Sequence, residues 1–522
     1  DEAVLHGVVT LGQWLRRHGA CLPCLYVADH PDMPNRGYYQ DISRGRIPTL
    51  ASLKEMADWL CRAKINEWQL YVEHTYLFRH ESEAWREDTP LTAEDITELD
   101  AYCQERCIQL VPSIASFGHM YLLLATKTHA RLCEMPDSEK GFSYNYFHEM
   151  RHHTVNVSHP DSMDFVKKLI LEFLPLFKSR MVNICCDETF DLGKGRSKAL
   201  AEEKGGSHQL YVDFVSAMCQ WLLDMGYTPQ IWGDILVHDP ASYTAIPKGT
   251  ICLNWGYAPD QREEDMKCLA EMGAVQYACP GVGTWNQWIP LFHDSFLNIQ
   301  RMCGFAHKYN AIGLLNTDWG DFGHICNPWF SLPGILYGAA FSWHADDLSF
   351  EEVNRAISLL FYGDRTEKLM EAWVQLSQRE LFNWYHVVGY MQEDQEEYIQ
   401  RLRTQRLEKV TPAAVAERAE ALRSGLAALD QAMLNVDTGM RSLSQSIHLA
   451  VEGADLWNRI GLYVVEVLDQ GKPAQGGEAL AEELECWFHR YLTDWRRQSR
   501  QSHVHNMMKL ICRWADLLRG RT

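Results

Sequence analysis

Eight short runs rich in β-forming residues recur between residues 37 and 320, and segments with the apolar spacing of helices lie between them. Such alternation is typical of βα units and a parallel sheet. Eight repeats predict a closed (β/α)8 TIM barrel. The rival architecture, an open doubly wound sheet, normally carries a glycine-rich phosphate turn, and the sequence contains neither GxGxxG nor GxxxxGK. The runs cover residues 37–42, 67–74, 108–114, 181–188, 228–235, 250–257, 274–281 and 312–320.

The chain changes character near residue 348, where strand signals stop and helical patterns continue to the end. Only Pro412 and the turn "GKPAQGG" at 471–477 interrupt these patterns. We therefore expect a barrel over residues 23–348 and an all-α C-terminal domain over 349–522. This domain is expected to be a bundle packed on the barrel, with a homodimer interface or a lid as alternatives. Residues 1–22 are interpreted as the remnant of a preceding small α/β domain or as an N-terminal helix.

Charge and cysteine usage restrict the partners of the chain. A formal net charge of −20 argues against nucleic acid or an anionic membrane surface. No stretch approaches the roughly 18 apolar residues of a membrane span, and the N-terminus lacks the pattern of a signal peptide. The 16 cysteines are scattered, and the single CxxC, Cys21 to Cys24, has no second pair at zinc-finger spacing. Reduced thiols of this kind favour a cytoplasmic location.

Polar and aromatic residues follow nearly every predicted strand. In a barrel, these strand ends converge on one face, where active sites lie. Indole rings stack on the flat C–H faces of pyranoses while charged groups bind the hydroxyls, so a tryptophan-rich mouth predicts a saccharide site. The residues are Asp41, Arg44, Glu73, His74, His119, Asp187, Glu188, Trp232, Asp234, Trp255, Tyr257, Trp285, Asn286, Trp319 and Asp321.

Asp187 and Glu188 are adjacent carboxylates that end the fourth predicted strand. Neighbours on a strand point to opposite faces, but both can reach the mouth where the chain leaves the strand. One carboxyl can then stay ionised while the other is held protonated, which suits an acid catalyst beside a charged stabiliser. The alternative is an aspartate that caps the βα loop, followed by a glutamate that faces solvent.

The ordered set of motifs resembles that of glycoside hydrolase family 20 β-N-acetylhexosaminidases. "NRGYYQDISRGR" resembles the first-strand motif, in which RG precedes D-x-x-R, and "AKINEWQLYVEH" resembles the second-strand K-x-N segment. "VPSIASFGHM" is similar to the third-strand motif that ends in GH, and "NICCDE" to [HN]-x-G-x-D-E. "IWGDIL" and "NTDWGD" match the fifth and eighth strand ends, and "HGVVTLGQWL" is similar to the last helix of the small domain that usually precedes the barrel.

The resemblance implies retaining hydrolysis in which the substrate's own 2-acetamido oxygen attacks the anomeric carbon and forms an oxazolinium ion. Glu188 would be the general acid and then the base. Asp187 would orient the acetamido N–H and stabilise the positive charge. The remaining implied roles are binding of the hydroxyls by Arg44 and Asp321, a pocket wall of Trp232, Trp255 and Trp319, and support of the carboxylates by His119.

Three positions depart from the family pattern. Cys185 stands where glycine is usual, and Asp321 is one methylene shorter than the usual glutamate. The family's seventh strand supplies a tyrosine for the acetamide carbonyl, and here the segment reads "YACPGVGTWNQW". Tyr277, Trp285 and Asn286 are the candidates for this role.

The sequence therefore predicts an exo-acting enzyme that removes terminal β-linked GlcNAc or GalNAc from an oligosaccharide or glycoconjugate. Alternatives are a barrel glycosidase for a modified aminosugar or another linkage, and a catalytically silent carbohydrate-binding barrel. We expect no cofactor. A metal-dependent hydrolase is disfavoured because His74 and His119 are too few histidines at strand ends for a metal site.

Overall fold

Eight parallel strands close into a barrel in chain order, with the last strand paired to the first. The computed structural model describes residues 2–19, 21–135, 144–151, 153–344, 348–392, 407–473 and 475–521. The predicted barrel is thus confirmed, although several strands end earlier than the sequence pattern suggests. The strands are β1 Asn35–Asp41, β2 Glu67–Val72, β3 Gln109–Ile114, β4 Met181–Asn183, β5 Thr228–Trp232, β6 Ile251–Trp255, β7 Val275–Cys279 and β8 Gly313–Asp318.

Helices surround the barrel and make up most of the described chain after β8. The helices before or between strands are α1 Glu2–His18, α2 Leu50–Arg62, α3 Ser82–Trp85, α4 Ala93–Gln104, α5 Tyr121–Leu124, α6 Tyr146–Arg151, α7 Ser162–Phe173, α8 Lys198–Lys204, α9 Ser207–Asp224, α10 Asp234–His238, α11 Glu264–Glu271 and α12 Phe292–Lys308. After β8 come α13 Leu332–Trp343, α14 Phe350–Leu360, α15 Leu369–Val374, α16 Trp384–Gln392, α17 Pro412–Met433, α18 Arg441–Tyr463, α19 Gly477–Gln498 and α20 Val504–Leu518. Within the described residues, no helix is both long and apolar enough to cross a bilayer.

A buried polar network fills the lower part of the barrel, towards the strand starts. Gln69 Nε2 donates to Glu67 Oε1 and to Gln230 Oε1, both at 2.7 Å, and Asn183 Nδ2 donates to Gln69 Oε1 at 3.0 Å. The Tyr277 hydroxyl donates to Glu67 Oε2 at 2.9 Å, and burial raises the pKa of Glu67. Buried amides and carboxyls need such partners, so this network closes the lower end and leaves the opposite end for a site.

The C-terminal helices pack on the loops that follow the barrel strands. The Trp384 indole N–H donates to the Phe322 carbonyl at 2.6 Å, and the Arg46 guanidinium lies 3.9 Å from the Trp495 ring centre. The backbone N–H of Arg500 donates to the carbonyl of Ile47 at 2.7 Å. The helices therefore pack against the segments that follow β1 and β8. The boundaries at residues 22 and 348 stay a prediction.

Candidate active site

The chain leaves β4 four residues before the adjacent carboxylates. The Asn183 side-chain oxygen accepts the N–H of Cys185 at 2.8 Å, which turns the backbone out of the strand. Cys185, Cys186 and Glu188 have φ values of 57°, 68° and 45°, in a region that non-glycine residues rarely adopt. This strained segment breaks the alternation of the strand, so that Asp187 and Glu188 both turn towards the mouth.

A buried histidine joins the two carboxylates. His119 Nε2 lies 3.5 Å from Asp187 Oδ2 and 3.4 Å from Glu188 Oε2. The side chain of Asp187 is 12% exposed and that of Glu188 is 32% exposed, so Glu188 is the one more open to a ligand. Gly118 permits this approach, because a Cβ there would lie 2.5 Å from the Asp187 carbonyl oxygen.

The positive charge of His119 and the negative charge of Asp187 stabilise each other. Burial and the Arg44 charge lower the pKa of His119, but Asp187 and Glu188 outweigh both and raise it to about 10. Burial opposes ionisation of Asp187, yet the charges of His119 and Arg44 hold its pKa below the usual value. At neutral pH the group therefore contains an imidazolium and an ionised Asp187.

Asp234 is a third carboxyl at the same site; the sequence places it at a strand end but assigns it no role in the site. Its Oδ2 accepts the backbone N–H of Glu188 at 3.1 Å. Burial and the negative charges of Asp187 and Glu188 raise the pKa of Asp234 to about 8. A neutral Asp234 fixes the Glu188 backbone without adding a further negative charge.

We expect Asp234→Asn to become more stable relative to wild type as the pH rises. The Asp234 carboxyl has a pKa near 3.9 in the unfolded chain and about 8 in the folded chain. Between about pH 4 and pH 8 the folded wild-type protein therefore binds more protons than the unfolded chain, and its free energy of unfolding should fall as the pH rises. Asparagine cannot ionise, and its oxygen still accepts the Glu188 N–H. Melting temperatures of both proteins from pH 4 to pH 9 test this, and a constant difference between them would contradict it.

Arg44 holds a set of carboxylates beside this group. Its Nε donates to Glu73 Oε1 at 3.1 Å, and one terminal nitrogen donates to Asp321 Oδ1 at 3.0 Å. Burial raises the pKa of Asp321 to about 6, Arg44 opposes that rise, and the charges of Asp41 and Glu188 add to it. Arg44 also lies over the Trp319 ring, 5.4 Å from the ring centre, so Arg44 and Asp321 lie beside Trp319. Arg44 and Asp321 are thus fixed as a donor and acceptor pair, as sugar hydroxyls require.

Aromatic rings form one connected wall. Trp319 and Trp232 have ring centres 5.5 Å apart, and the Trp319 indole N–H donates to the Tyr257 hydroxyl at 2.8 Å. Tyr257 stacks on Trp255 at 5.1 Å and meets the edge of Trp285 at 5.0 Å. Trp232 is fully buried and supports the wall from behind, whereas Trp255 and Trp285 are partly exposed.

The structure moves one candidate away from the mouth. Tyr277 was a candidate for the acetamide carbonyl, but its hydroxyl is bound to Glu67 in the lower network, so this interpretation is wrong. The tyrosine at the mouth is Tyr257, whose hydroxyl accepts the Trp319 indole N–H at 2.8 Å and whose ring contacts Trp255 and Trp285. Asn286 directly follows Trp285, has a φ of 60°, and has a buried side-chain oxygen without a hydrogen bond in the described part of the chain.

Cys185 lies below the carboxylates. Its Sγ is 3.5 Å from Ser113 Oγ and 4.0 Å from the Tyr39 hydroxyl. The thiol therefore fills space in the barrel interior and is turned away from the mouth. Burial raises its pKa well above the usual value, which makes it an unreactive packing group.

Two groups of three side chains in the described ranges can hold a metal ion. One is the active-site group of His119, Asp187 and Glu188. The other consists of His74, Asp88 and His503, outside the mouth residues described above.

Comparison with known proteins gives concordant findings. Residues 34–276 match the sequence profile of the glycosyl hydrolase family 20 catalytic domain. A β-hexosaminidase of Akkermansia muciniphila is 24% identical over 260 residues, which are 44% of this chain and 51% of that protein. A lacto-N-biosidase of Bifidobacterium bifidum is 21% identical over 384 residues, which are 70% of this chain and 31% of that protein. The chain thus spans about half or less of the length of these relatives.

A solved structure shows the same fold. The β-N-acetylhexosaminidase of Bacteroides fragilis matches with a TM-score of 0.56 and 18% identity, over 68% of this chain and 76% of that chain. At this identity, the likeness extends to the barrel architecture only.

Proposed function

We propose that the chain is an exo-acting β-N-acetylhexosaminidase, and the match of residues 34–276 to the glycosyl hydrolase family 20 catalytic domain supports this proposal. It removes terminal β-linked GlcNAc or GalNAc from an oligosaccharide or glycoconjugate. The observation that carries the proposal is the placement of Asp187 and Glu188 against the same nitrogen, Nε2, of the buried His119, at distances of 3.5 and 3.4 Å.

The two carboxylates have different environments and hence different roles. Glu188 is the more exposed and is positioned to protonate the glycosidic oxygen, and then to activate water. Asp187 is ionised, paired with His119 and nearly buried, so it can hold an amide N–H and balance developing positive charge. The substrate's acetamido oxygen then supplies the nucleophile, and the product retains its β-configuration.

Arg44 and Asp321 bind the hydroxyls of the terminal sugar. Glu73 accepts from Nε of the guanidinium, and the two terminal nitrogens donate to Asp321 and to the Tyr71 hydroxyl, so the guanidinium is held in one orientation. Trp255 and Trp285 supply ring faces for the pyranose. Charged groups that bind the hydroxyls of a terminal sugar would select the end of a glycan, which is the basis for proposing exo-action.

The intact carboxylate pair disfavours a silent binding barrel. A modified aminosugar is the second candidate substrate. Asp321 is shorter than the glutamate usual in the family, and its carboxylate is already bound by Arg44 at 3.0 Å, so it is less available to a sugar hydroxyl. A sulfate or other substituent on the sugar would meet Arg44 at this point.

A panel of p-nitrophenyl glycosides tests the function. We expect kcat/KM for the N-acetyl-β-glucosaminide or N-acetyl-β-galactosaminide to exceed that for the β-glucoside by about 10³-fold or more, since only the former carry the intramolecular nucleophile. Equal hydrolysis of the β-glucoside would contradict the proposal. Inclusion of a 6-sulfated GlcNAc glycoside separates the two candidate substrate classes.

A further inference from the structure

Three donor atoms converge where the C-terminal helices meet the barrel. His74 follows β2, Asp88 lies between α3 and α4, and His503 directly precedes α20. His74 Nε2 and His503 Nε2 are 2.8 Å apart, and each lies 3.3 Å from Asp88 Oδ2. Their side chains are 0%, 3% and 2% exposed for His74, Asp88 and His503, so the three polar atoms share one buried point.

These separations fit a bound transition-metal ion. Tetrahedral zinc with ligand bonds of 2.0–2.1 Å places its ligand atoms about 3.3 Å apart. Two of the three separations have this value, and the third is shorter. Two imidazoles and one carboxylate are a donor set that binds zinc and leaves a fourth position for water.

The surroundings orient two of these ligands. The backbone N–H of His503 donates to Asp88 Oδ1 at 2.9 Å, which turns Oδ2 towards the imidazoles. His503 Nδ1 lies 3.5 Å from Asn506 Nδ2, while Asn506 Oδ1 is buried and has no partner in the described ranges. Exchange of the amide oxygen and nitrogen of Asn506 would let Oδ1 accept an Nδ1–H, the tautomer required when Nε2 binds a metal.

A ligand can reach the convergent side chains of His74, Asp88 and His503 from one side. A cavity of about 550 Å³ is lined by Asp88 and His503, together with Tyr144, His505 and Asn506. His505 faces Glu87, with Nε2 at 3.6 Å from the carboxylate, and stands outside the convergent group. The cavity offers an entry path and room for a water ligand.

We propose that His74, Asp88 and His503 form a zinc site that fastens the C-terminal helices to the barrel beside the active site. The three ligands come from the segment after β2, the loop before α4 and the segment before α20, so one ion cross-links parts of the chain that are 429 residues apart. Glu73, the neighbour of His74, pairs with Arg44, so the zinc site adjoins a residue that holds the sugar-binding guanidinium. The rival arrangement is a metal-free imidazole–imidazole hydrogen bond beside Asp88.

The test uses the full chain, stripped with a chelator and titrated with Zn²⁺ by calorimetry. We expect one equivalent to bind and to raise the melting temperature. His74→Ala and His503→Ala should weaken binding by about 100-fold or more. His505→Ala is the matched control and should bind as wild type does. His119→Ala separates this site from the active-site group and should also retain binding.

The number of imidazoles bound to the ion can be measured on the wild-type chain and gives a second test. Zinc or cobalt X-ray absorption of the wild-type chain should show two imidazoles, whereas ion binding at the active-site group would show one. Two imidazoles support the proposal even when His503→Ala fails to fold. No binding by wild type, one imidazole, or loss of binding in His119→Ala alone would overturn it. None of these outcomes depends on glycosidase activity.

Discussion

Glu188→Gln is expected to lower kcat/KM by about 10³-fold for an N-acetyl-β-glucosaminide with a poor leaving group, because glutamine keeps the shape but cannot donate an acidic proton. With a good leaving group such as a nitrophenolate, the loss should be smaller, and azide should restore turnover, since the second step alone then lacks its base. Steady-state kinetics over a series of aryl leaving groups measures this dependence.

The matched control is Glu202→Gln on α8, an exposed glutamate remote from the strand ends. We expect it to keep wild-type kinetics. Wild-type activity in Glu188→Gln with a poor leaving group would remove Glu188 as the acid and leave the site without an assigned proton donor.

Asp187→Asn is expected to lower kcat/KM by about 10²–10³-fold, and by the same factor for every leaving group. The reason is that Asp187 acts on the acetamido end of the sugar and on the positive charge, whereas proton donation stays with Glu188. A loss that grew with poorer leaving groups would show that Asp187 acts as the acid instead.

The same variant has a second readout that is independent of turnover. Because Asp187 is one of the charges that raise the pKa of His119 to about 10, its removal should lower that pKa towards the ordinary value of about 6.5. Histidine NMR titration of both proteins measures the shift. An unchanged His119 titration would mean that the imidazole and the carboxylate do not interact as the 3.5 Å distance requires.

The barrel was predictable from its alternating pattern, but the strand ends were not. The fourth predicted strand ran to residue 188, whereas β4 ends at Asn183 because that side chain binds the N–H of Cys185 and turns the backbone. Apolar spacing contains no signal for such a turn. The positive φ of Cys185 also explains why a glycine would suit this position, since glycine adopts that conformation without strain.

The charged residues of the candidate active site could be predicted from the sequence, but the contacts that hold other residues in place could not. Asp187, Glu188 and Arg44 stand out by type and position, as the structure places all three at the mouth. Tyr277 could not be separated from Tyr257 by sequence, because the partner that holds it, Glu67, is 210 residues away. The role of Asp234 depends on a backbone N–H, for which no residue pattern gives a signal.

His503 illustrates the same limit at a larger scale. It lies in the helical part of the chain, where no strand-end pattern directs attention to it, and it meets His74 only through the packing of α19 and α20 on the barrel. A count of histidines at strand ends therefore missed the convergent group.

In the proposed mechanism, the substrate's acetamido oxygen is the nucleophile, and Asp187 holds it while Glu188 protonates the leaving group. Hydrolysis of glycosides with acetyl, fluoroacetyl, difluoroacetyl and trifluoroacetyl groups on the 2-amino nitrogen tests it directly. Each fluorine withdraws electrons from that oxygen, so we predict that kcat/KM falls steeply along the series, by several orders of magnitude in total. A rate independent of fluorination would contradict the account, because it would assign the nucleophile to the enzyme or to water.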